Sequence, residues 1–184
     1  MTKVPKNFKL IYSAEEIDNK VSQIAKLISK DFKDSIPILI GVLNGSFIFL
    51  ADLARKIEIK VEIEFIRLKS YEGLRSTNNI KLVYDLGKEL KYRDVLIVED
   101  IIDSGKTLTF LYDKIQEMNP KSISIVSLLL KPKSNNFNKK IKYVGFEIPS
   151  DFVVGYGMDF NDKFRNLDSL YKFIDETKYE DNLS

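Results

Sequence analysis

Two acidic residues and a short polar turn follow one apolar segment of the chain, and these residue types are well suited to binding a sugar phosphate. Glu99 and Asp100 come directly after the aliphatic residues 95–98, and residues 103–107 form a small polar segment with one glycine. A strand, a turn and a helix start bring free backbone N–H groups to one point, with the helix dipole behind them. That point can bind a phosphate monoester, and the adjacent carboxylates can hold sugar hydroxyls or a hydrated Mg²⁺.

A nucleotide P-loop is the obvious alternative, because Gly105-Lys106-Thr107 resembles the end of that motif. A P-loop requires a glycine five residues before this one. Asp100 occupies that position, and its carboxylate would repel a triphosphate. The P-loop interpretation therefore fails.

The residues around this turn predict a strand before it and a helix after it. Residues 95–98 are β-branched or aliphatic, which is typical of a buried strand. Apolar residues then recur at helical spacing until Asn119-Pro120 ends the helix; they are Leu108, Leu111, Tyr112 and Ile115.

The rest of the chain repeats this alternation of strands and helices. A capping box at Ser13 begins a first helix that ends at residues 31–34, and a buried strand is predicted over residues 36–43. A second helix follows the turn Asn44-Gly45-Ser46, with its inward positions at Phe47, Leu50, Leu53, Ala54 and Ile57. Further strands are predicted over residues 61–65, 80–84 and 123–130, and residues 69–79 are predicted to form a loop.

This order predicts an α/β fold, a mainly parallel twisted sheet flanked by helices. Ligands bind such sheets at the carboxyl ends of the strands. Asn44, Glu99, Asp100 and Lys131 all fall at predicted strand ends. We therefore expect them to share one site.

Composition limits the chemistry available to that site. The chain has 184 residues, 44% of them hydrophobic, so we expect one globular domain. It has no Cys and no His, which excludes disulfides, thiolate metal sites and imidazole acid–base chemistry. Any metal would need oxygen ligands, as Mg²⁺ prefers. The formal charge of +2 gives no sign of nucleic-acid binding. With neither a signal peptide nor a membrane span in the sequence, we expect a cytoplasmic protein.

The acids and the turn together resemble the phosphoribosyl-pyrophosphate (PRPP) motif of type I phosphoribosyltransferases. Three further segments are similar to the hypoxanthine-guanine branch of that family: residues 65–71, residues 127–131 ending at Lys131, and residues 144–165. The resemblance extends from about residue 11 to about residue 170. It implies a core at about residues 36–145, with a purine-binding hood formed by the N-terminal segment and about residues 146–175.

The resemblance also implies a role for each matching residue. The 5′-phosphate would be held by Asp103, Ser104, Gly105, Lys106 and Thr107, and the ribose hydroxyls by Glu99 and Asp100, directly or through Mg²⁺. The purine would be bound by Lys131, Phe152, Val153 and Asp159, and pyrophosphate by Asn44, Gly45 and Arg165. Asp159 would join Glu99 and Asp100 as a metal ligand, Asp103 would be the catalytic residue that removes a proton, and Ser70 and Tyr71 would lie on a mobile catalytic loop.

One residue departs from the family pattern. The first residue of the family's pyrophosphate loop is often Lys or Arg, and here it is Asn44. In the family the peptide before this position can be cis, and backbone N–H groups can bind pyrophosphate there. The departure therefore weakens the expected contact without excluding it.

The implied reaction moves ribose 5-phosphate from PRPP to N9 of hypoxanthine or guanine, giving IMP or GMP and pyrophosphate. The family also suggests a homodimer or homotetramer. Two alternatives stay open: a regulatory protein of the same fold that binds PRPP or nucleotide, and a xanthine-preferring transferase. An adenine enzyme fits less well, because the ammonium of Lys131 cannot accept a hydrogen bond from a 6-amino group.

Overall fold

Two sheets and three helices account for the regular structure of the described residues. The computed structural model describes residues 7–71, 79–84 and 89–174. In chain order the elements are β1 (Phe8–Tyr12), α1 (Ala14–Asp31), β2 (Ile38–Leu43), α2 (Phe47–Lys56), β3 (Glu62–Tyr71), β4 (Asn79–Tyr84), β5 (Asp94–Ile102), α3 (Lys106–Glu117), β6 (Ser122–Leu130), β7 (Tyr143–Glu147), β8 (Val153–Val154) and β9 (Leu170–Phe173).

The larger sheet has the strand order β4-β3-β2-β5-β6-β7. Strands β3, β2, β5, β6 and β7 are parallel to their neighbours, and β4 pairs antiparallel with β3 at one edge. The predicted α/β class with a mainly parallel sheet is confirmed. The parallel strands bring the segments after β2, β5 and β6 to the same edge of the sheet.

Helices cover both faces of this sheet, and the strand residues alternate accordingly. Leu39 and Leu96 belong to the buried cluster that contains α1 and α2. Ile38 and Ile97, their neighbours in sequence, belong to the cluster that contains α3. Since side chains in a strand point alternately to opposite faces, β2 and residues 95–98 of β5 are apolar at every position.

The N-terminal ends of two helices match the sequence patterns in different ways. The Ser13 side chain accepts from the Glu16 N–H, and the Glu16 side chain accepts from the Ser13 N–H, which completes the predicted capping box of α1. Helix α3 begins after Gly105 at φ +75° and has no side-chain cap. No helix within the described ranges is long and apolar enough to cross a membrane.

The smaller sheet joins the two ends of the described chain. Its order is β1-β9-β8, and all pairs are antiparallel. Phe8 of β1 packs against the rings of Phe160, Phe164 and Phe173 at centroid distances of 5.5 to 6.3 Å. These contacts fix β1 beside the segment that follows β8.

Four details of the sequence prediction were wrong. Strand β2 begins at Ile38 and not at Ile36, because Pro37 has no N–H for the ladder and Ile36 is exposed. In α2 the buried ring is Phe49, whereas Phe47 is 42% exposed, since the buried stripe passes through Phe49, Leu50 and Leu53.

The other two differences concern strand ends near the predicted site. Strand β5 continues beyond Glu99 and Asp100 to Ile102, because Ile101 and Ile102 pair with Leu129 and Leu130 of β6. Residues 69–71 and Asn79 were expected to lie in a loop but belong to β3 and β4, because the two strands pair as far as Tyr71 and Asn79. The remainder of that expected loop, residues 72–78, lies outside the described residues.

Candidate active site

A cavity of about 380 Å³ opens at the carboxyl ends of β2 and β6, beside the end of β5. Its lining comes from six separate stretches of the chain, and nine of the eleven lining residues were predicted from the sequence. The eleven are Asn44, Gly45, Asp100, Ile101, Asp103, Lys131, Phe152, Val153, Met158, Asp159 and Arg165.

A second cavity of about 170 Å³ lies along the turn between β5 and α3. Glu99, Ser104, Gly105 and Thr107 line it, and Asp103 lines both cavities. Lys106 is exposed and is not part of either lining. The two cavities therefore meet at Asp103 and Ile101, which line both of them.

The turn between β5 and α3 requires glycine at position 105. Gly105 has φ +75°, and an added Cβ would lie 2.6 Å from Asn135 Oδ1 and 2.9 Å from the Phe137 backbone nitrogen. The Lys106 N–H reaches Ser104 Oγ only at 3.5 Å. The start of α3 therefore presents backbone N–H groups to the smaller cavity, which is the arrangement that binds anions at helix N-termini.

Glu99 and Asp100 are neighbours in β5 but face different cavities. Glu99 is 6% exposed, and its burial together with the charge of Asp100 raises its pKa well above the usual value. Burial also raises the pKa of Asp100 to about 6, with a smaller contribution from Asp159. A Cβ on Gly45 would overlap the Asp100 carboxylate, so the turn after β2 closes directly over this acid.

Asp103 is held by two donors. Lys131 Nζ lies 2.7 Å from Asp103 Oδ2, and Ser134 Oγ lies 2.5 Å from Asp103 Oδ1. The hydrogen bonds from Lys131 and Ser134 lower the pKa of Asp103. Ser134 was not singled out from the sequence; its position in the polar turn directly after Lys131-Pro132 is the signal that could have found it.

Phe152 is exposed, unlike the two residues that follow it. Its side chain is 48% exposed, whereas Val153 and Val154 are buried in the smaller sheet. The ring of Phe160 meets that of Phe152 edge-on, with centroids 5.7 Å apart and planes at 77°. Phe152 therefore offers exposed ring surface to the cavity that it lines, and Phe160 packs against it.

Asp159 and Arg165 form an ion pair in the lining of the larger cavity. Arg165 Nη2 lies 2.7 Å from Asp159 Oδ1, and Arg165 Nη1 donates to the Gly157 carbonyl at 2.8 Å. Asp159 also accepts from the Asp162 N–H at 2.9 Å. Both side chains are thus oriented by the loop that carries them.

The turn after β2 begins with a cis peptide bond between Leu43 and Asn44, as the family resemblance suggests. Asn44 and Gly45 then line the larger cavity next to Asp100. Ser70 and Tyr71, the remaining predicted site residues, form the last two positions of β3 and pair with Ile80 and Asn79.

The oxygen donors of the site fit a partly hydrated divalent cation. Asp100 and Asp159 line the same cavity, whereas Glu99 lines the smaller one. Among the described residues no three acids come together as a ready metal site. Mg²⁺ commonly binds through one or two carboxylates and completes its shell with water and substrate phosphate. Asp100 and Asp159 line the cavity beside the turn between β5 and α3, and they fit this mode of binding.

Comparisons with known proteins agree on one family. The family model described as the phosphoribosyl transferase domain matches residues 10–161. A hypoxanthine phosphoribosyltransferase of Buchnera aphidicola is 45% identical over 169 residues, which cover 90% of this chain and 96% of the relative.

Two solved structures extend the agreement to the fold. A hypoxanthine-guanine phosphoribosyltransferase from Bacillus anthracis, with a HEPES molecule in its active site, is 40% identical with a TM-score of 0.86, and the match covers 90% of this chain and 98% of that one. A hypoxanthine phosphoribosyltransferase from Trypanosoma cruzi, in complex with the product IMP, is 34% identical with a TM-score of 0.87, covering 95% and 98%.

Proposed function

We propose the following activity for this chain, which belongs to the phosphoribosyltransferase family: it transfers 5-phosphoribosyl from PRPP to N9 of hypoxanthine or guanine. The products are IMP or GMP and pyrophosphate, and the role is purine salvage. One observation carries the proposal. Asp103 of the phosphate turn lines one cavity together with Lys131, Phe152 and Arg165.

The smaller cavity fits the 5′-phosphate. Ser104 and Thr107 supply hydroxyl donors, and the uncapped start of α3 supplies backbone N–H groups and the positive end of its dipole. Glu99, buried beside this cavity, is placed to accept from a ribose hydroxyl. The phosphate and the sugar would thus be held on the β5 side of the site.

The larger cavity fits the purine between Phe152 and Lys131. The open face of Phe152 supplies a stacking surface, and the Val153 backbone follows directly. Lys131 Nζ has three donors, and one of them is used by Asp103. Another donor is available to the 6-oxo group, which is the atom that separates hypoxanthine and guanine from adenine.

The wall formed by Asn44, Gly45, Asp159 and Arg165 fits the leaving pyrophosphate. Arg165 supplies a fixed positive charge, and the turn at Asn44 and Gly45 supplies backbone N–H groups. Asp100 and Asp159, with Glu99 nearby, are the residues that would hold Mg²⁺. When bound, the ion supplies positive charge that favours departure of pyrophosphate.

Proton removal from the purine is assigned to Asp103. It is the one acid that borders both cavities, and the chain has no histidine for this task. Its lowered pKa keeps it ionised at neutral pH. Ser70 and Tyr71 are proposed to close over the reacting centre, which would keep water away from the sugar cation.

The test of this function is product formation from PRPP and hypoxanthine in the presence of Mg²⁺. We expect IMP and pyrophosphate to appear together, and both to stop when a chelator removes the metal. Binding of PRPP without turnover would favour the regulatory alternative. Conversion of xanthine in strong preference to hypoxanthine would favour the xanthine-preferring alternative.

We also propose that the chain assembles as a homodimer or homotetramer. Phe47, Ile63 and Phe65 are each between 38% and 42% exposed, on β3 and at the start of α2. Exposed apolar side chains of this size favour burial against another chain. Light scattering measures the assembly. A cytoplasmic location remains a prediction that cell fractionation tests.

A further inference from the structure

Tyr156 lies in the loop that leads to the acid–arginine pair, and the reaction described above gives it no role. Its side chain is only 6% exposed. Its φ is +47°, between Gly155 at +98° and Gly157 at +101°. Left-handed backbone is unfavourable for a residue with a side chain. Contacts elsewhere must therefore hold this conformation.

The strongest of these contacts reaches α2. The Tyr156 hydroxyl donates to Asp52 Oδ2 at 2.6 Å, and Asp52 also accepts from Arg55. Burial and the neighbouring Asp52 raise the pKa of Tyr156, so the hydroxyl keeps its proton and remains a donor. Hydrogen bonds to a charged acceptor are stronger than those between neutral groups.

This hydrogen bond connects the loop of Tyr156 to the helix that follows the turn of Asn44 and Gly45. Helix α2 begins at Phe47, directly after the turn that contains Asn44 and Gly45. A Cβ on Gly157 would overlap the Gly45 carbonyl, so the two backbones are in direct contact. A contact that holds the loop of Tyr156 to α2 therefore also holds it against the turn of Asn44 and Gly45.

The other side of the loop is tied to Arg165. Gly157 donates through its N–H to the Arg165 carbonyl at 2.9 Å and accepts from Arg165 Nη1 at 2.8 Å. Tyr156 donates through its N–H to the Leu167 carbonyl at 2.8 Å. A shift of Tyr156 would consequently move the guanidinium and its partner Asp159.

We infer that Tyr156 and Asp52 are positioning residues, whose hydrogen bond holds the loop of Asp159 and Arg165 against the turn of Asn44 and Gly45 so that both can grip pyrophosphate. The inference rests on the proposed transferase function, since the two loops share a ligand only if pyrophosphate lies between them. Neither Tyr156 nor Asp52 lines the cavity. Both would therefore act by fixing the distance between the loop and the turn. Misplacement of a binding group by about 1 Å can cost on the order of 100-fold in rate.

A matched control exists elsewhere in the chain. The buried Tyr143 hydroxyl on β7 donates to Asp31 Oδ2 of α1 at 2.7 Å. This pair has the same chemistry, a tyrosine and a helical aspartate, but it touches neither cavity. A loss of stability alone should therefore affect both tyrosines alike, whereas a loss of positioning should affect only Tyr156.

The experiment compares Tyr156→Phe with Tyr143→Phe in the full chain. KM for PRPP and for hypoxanthine, kcat, melting temperature and calorimetric affinity for inorganic pyrophosphate are measured. For Tyr156→Phe we expect KM for PRPP and the Kd for pyrophosphate to rise about five- to tenfold, with KM for hypoxanthine changed less than about twofold. Asp52→Ala should behave in the same way, while Asp52→Asn keeps an acceptor oxygen and should restore most of the affinity.

Equal changes in both KM values, no change in either, or the same rise in Tyr143→Phe would overturn the inference. If Tyr156→Phe does not fold, the affinities of Asp52→Ala and Asp52→Asn for PRPP and pyrophosphate are compared instead, and equal affinities would overturn the inference. A wild-type chain that neither turns over PRPP nor binds pyrophosphate would overturn the proposed function as well. An active wild type with unaltered PRPP affinity in Tyr156→Phe would overturn the positioning role alone.

Discussion

Lys131 Nζ lies 2.7 Å from Asp103 Oδ2, so the lysine proposed to recognise the base and the acid proposed to take its proton form an ion pair. The pair spans the boundary between the phosphate turn and the base pocket. Lys131 is 10% exposed and Asp103 is 51% exposed at the side chain. In the proposed reaction, base recognition and proton removal would therefore be coupled through this one contact.

Asp103→Asn should lower turnover far more than it weakens nucleotide binding. The substitution keeps the size of the side chain and one acceptor oxygen but removes the base. General acid–base contributions are typically about 10²–10⁴-fold. Steady-state kcat and calorimetric affinity for IMP measure the two effects, and Asp113→Asn on the exposed face of α3 is the control. A variant with near-native turnover would leave Asp103 a structural role only.

Lys131→Ala should weaken binding of 6-oxopurines and leave PRPP binding largely intact. A charge-assisted hydrogen bond is worth roughly 1.5–3 kcal/mol, so affinity for the base should fall on the order of 10- to 100-fold. Lys121→Ala is the matched control, because Lys121 pairs with Asp94 at 3.0 Å away from the site. An equal fall in PRPP affinity would make Lys131 a general electrostatic contributor.

Phe152→Leu should weaken the binding of all purines by a similar factor. Leucine keeps an apolar contact but removes the stacking face that Phe160 supports edge-on. Inhibition constants for a 6-oxopurine and a 6-aminopurine, measured side by side, give the comparison. Selective loss with Phe152→Leu, as large as that expected for Lys131→Ala, would contradict the division of roles.

Ser134→Ala should move the acidic limb of the pH profile to higher pH. The hydrogen bonds from Lys131 and Ser134 lower the pKa of Asp103; without Ser134 that pKa moves back up. Because Asp103 acts in its ionised form, activity would then be lost at a higher pH as the solution is acidified. The profile of kcat/KM reports the free enzyme. Ser22→Ala, which removes a hydroxyl on α1, should leave the profile in place.

Asp31→Asn should reduce the loss of stability in acid. Hydrogen bonds from Lys142 and Tyr143 lower the pKa of Asp31 below its usual value of 3.8. A carboxylate with a depressed folded-state pKa stabilises the protein above the unfolded pKa, and this contribution is lost as pH falls through the folded pKa. Denaturant midpoints of wild type and variant should therefore differ at pH 7 and converge as the pH falls from 3.8 through the lowered folded-state pKa. A constant difference across that range would contradict the assignment.

The sequence was sufficient wherever the signal was local. The strand before Glu99, the helix after Gly105 and the capping box at Ser13 depend on residues within one or two turns of each other, so periodicity and capping rules apply directly. Asn44, Glu99, Asp100 and Lys131 could be brought together because parallel strands place their carboxyl ends at one edge. The cavity residues from Phe152 to Arg165 were found through the family resemblance instead.

The sequence was insufficient where a partner lies far along the chain. The extension of β3 to Tyr71 depends on its pairing with β4. Ser134 and Tyr156 form hydrogen bonds with Asp103 and Asp52, which lie 31 and 104 positions away. The neighbouring residues give no pattern that predicts those contacts. Phe47 was assigned to the core because its spacing from Leu50 is helical, but the buried positions of α2 are Phe49, Leu50 and Leu53.

The central claim is that this site transfers phosphoribosyl groups to 6-oxopurines. Its most direct test is a panel of hypoxanthine, guanine, xanthine and adenine, each supplied with PRPP and Mg²⁺, with nucleotide and pyrophosphate measured together. The account predicts conversion of hypoxanthine and guanine to their 5′-monophosphates and no conversion of adenine. Activity with adenine alone, or with none of the four bases, would contradict it.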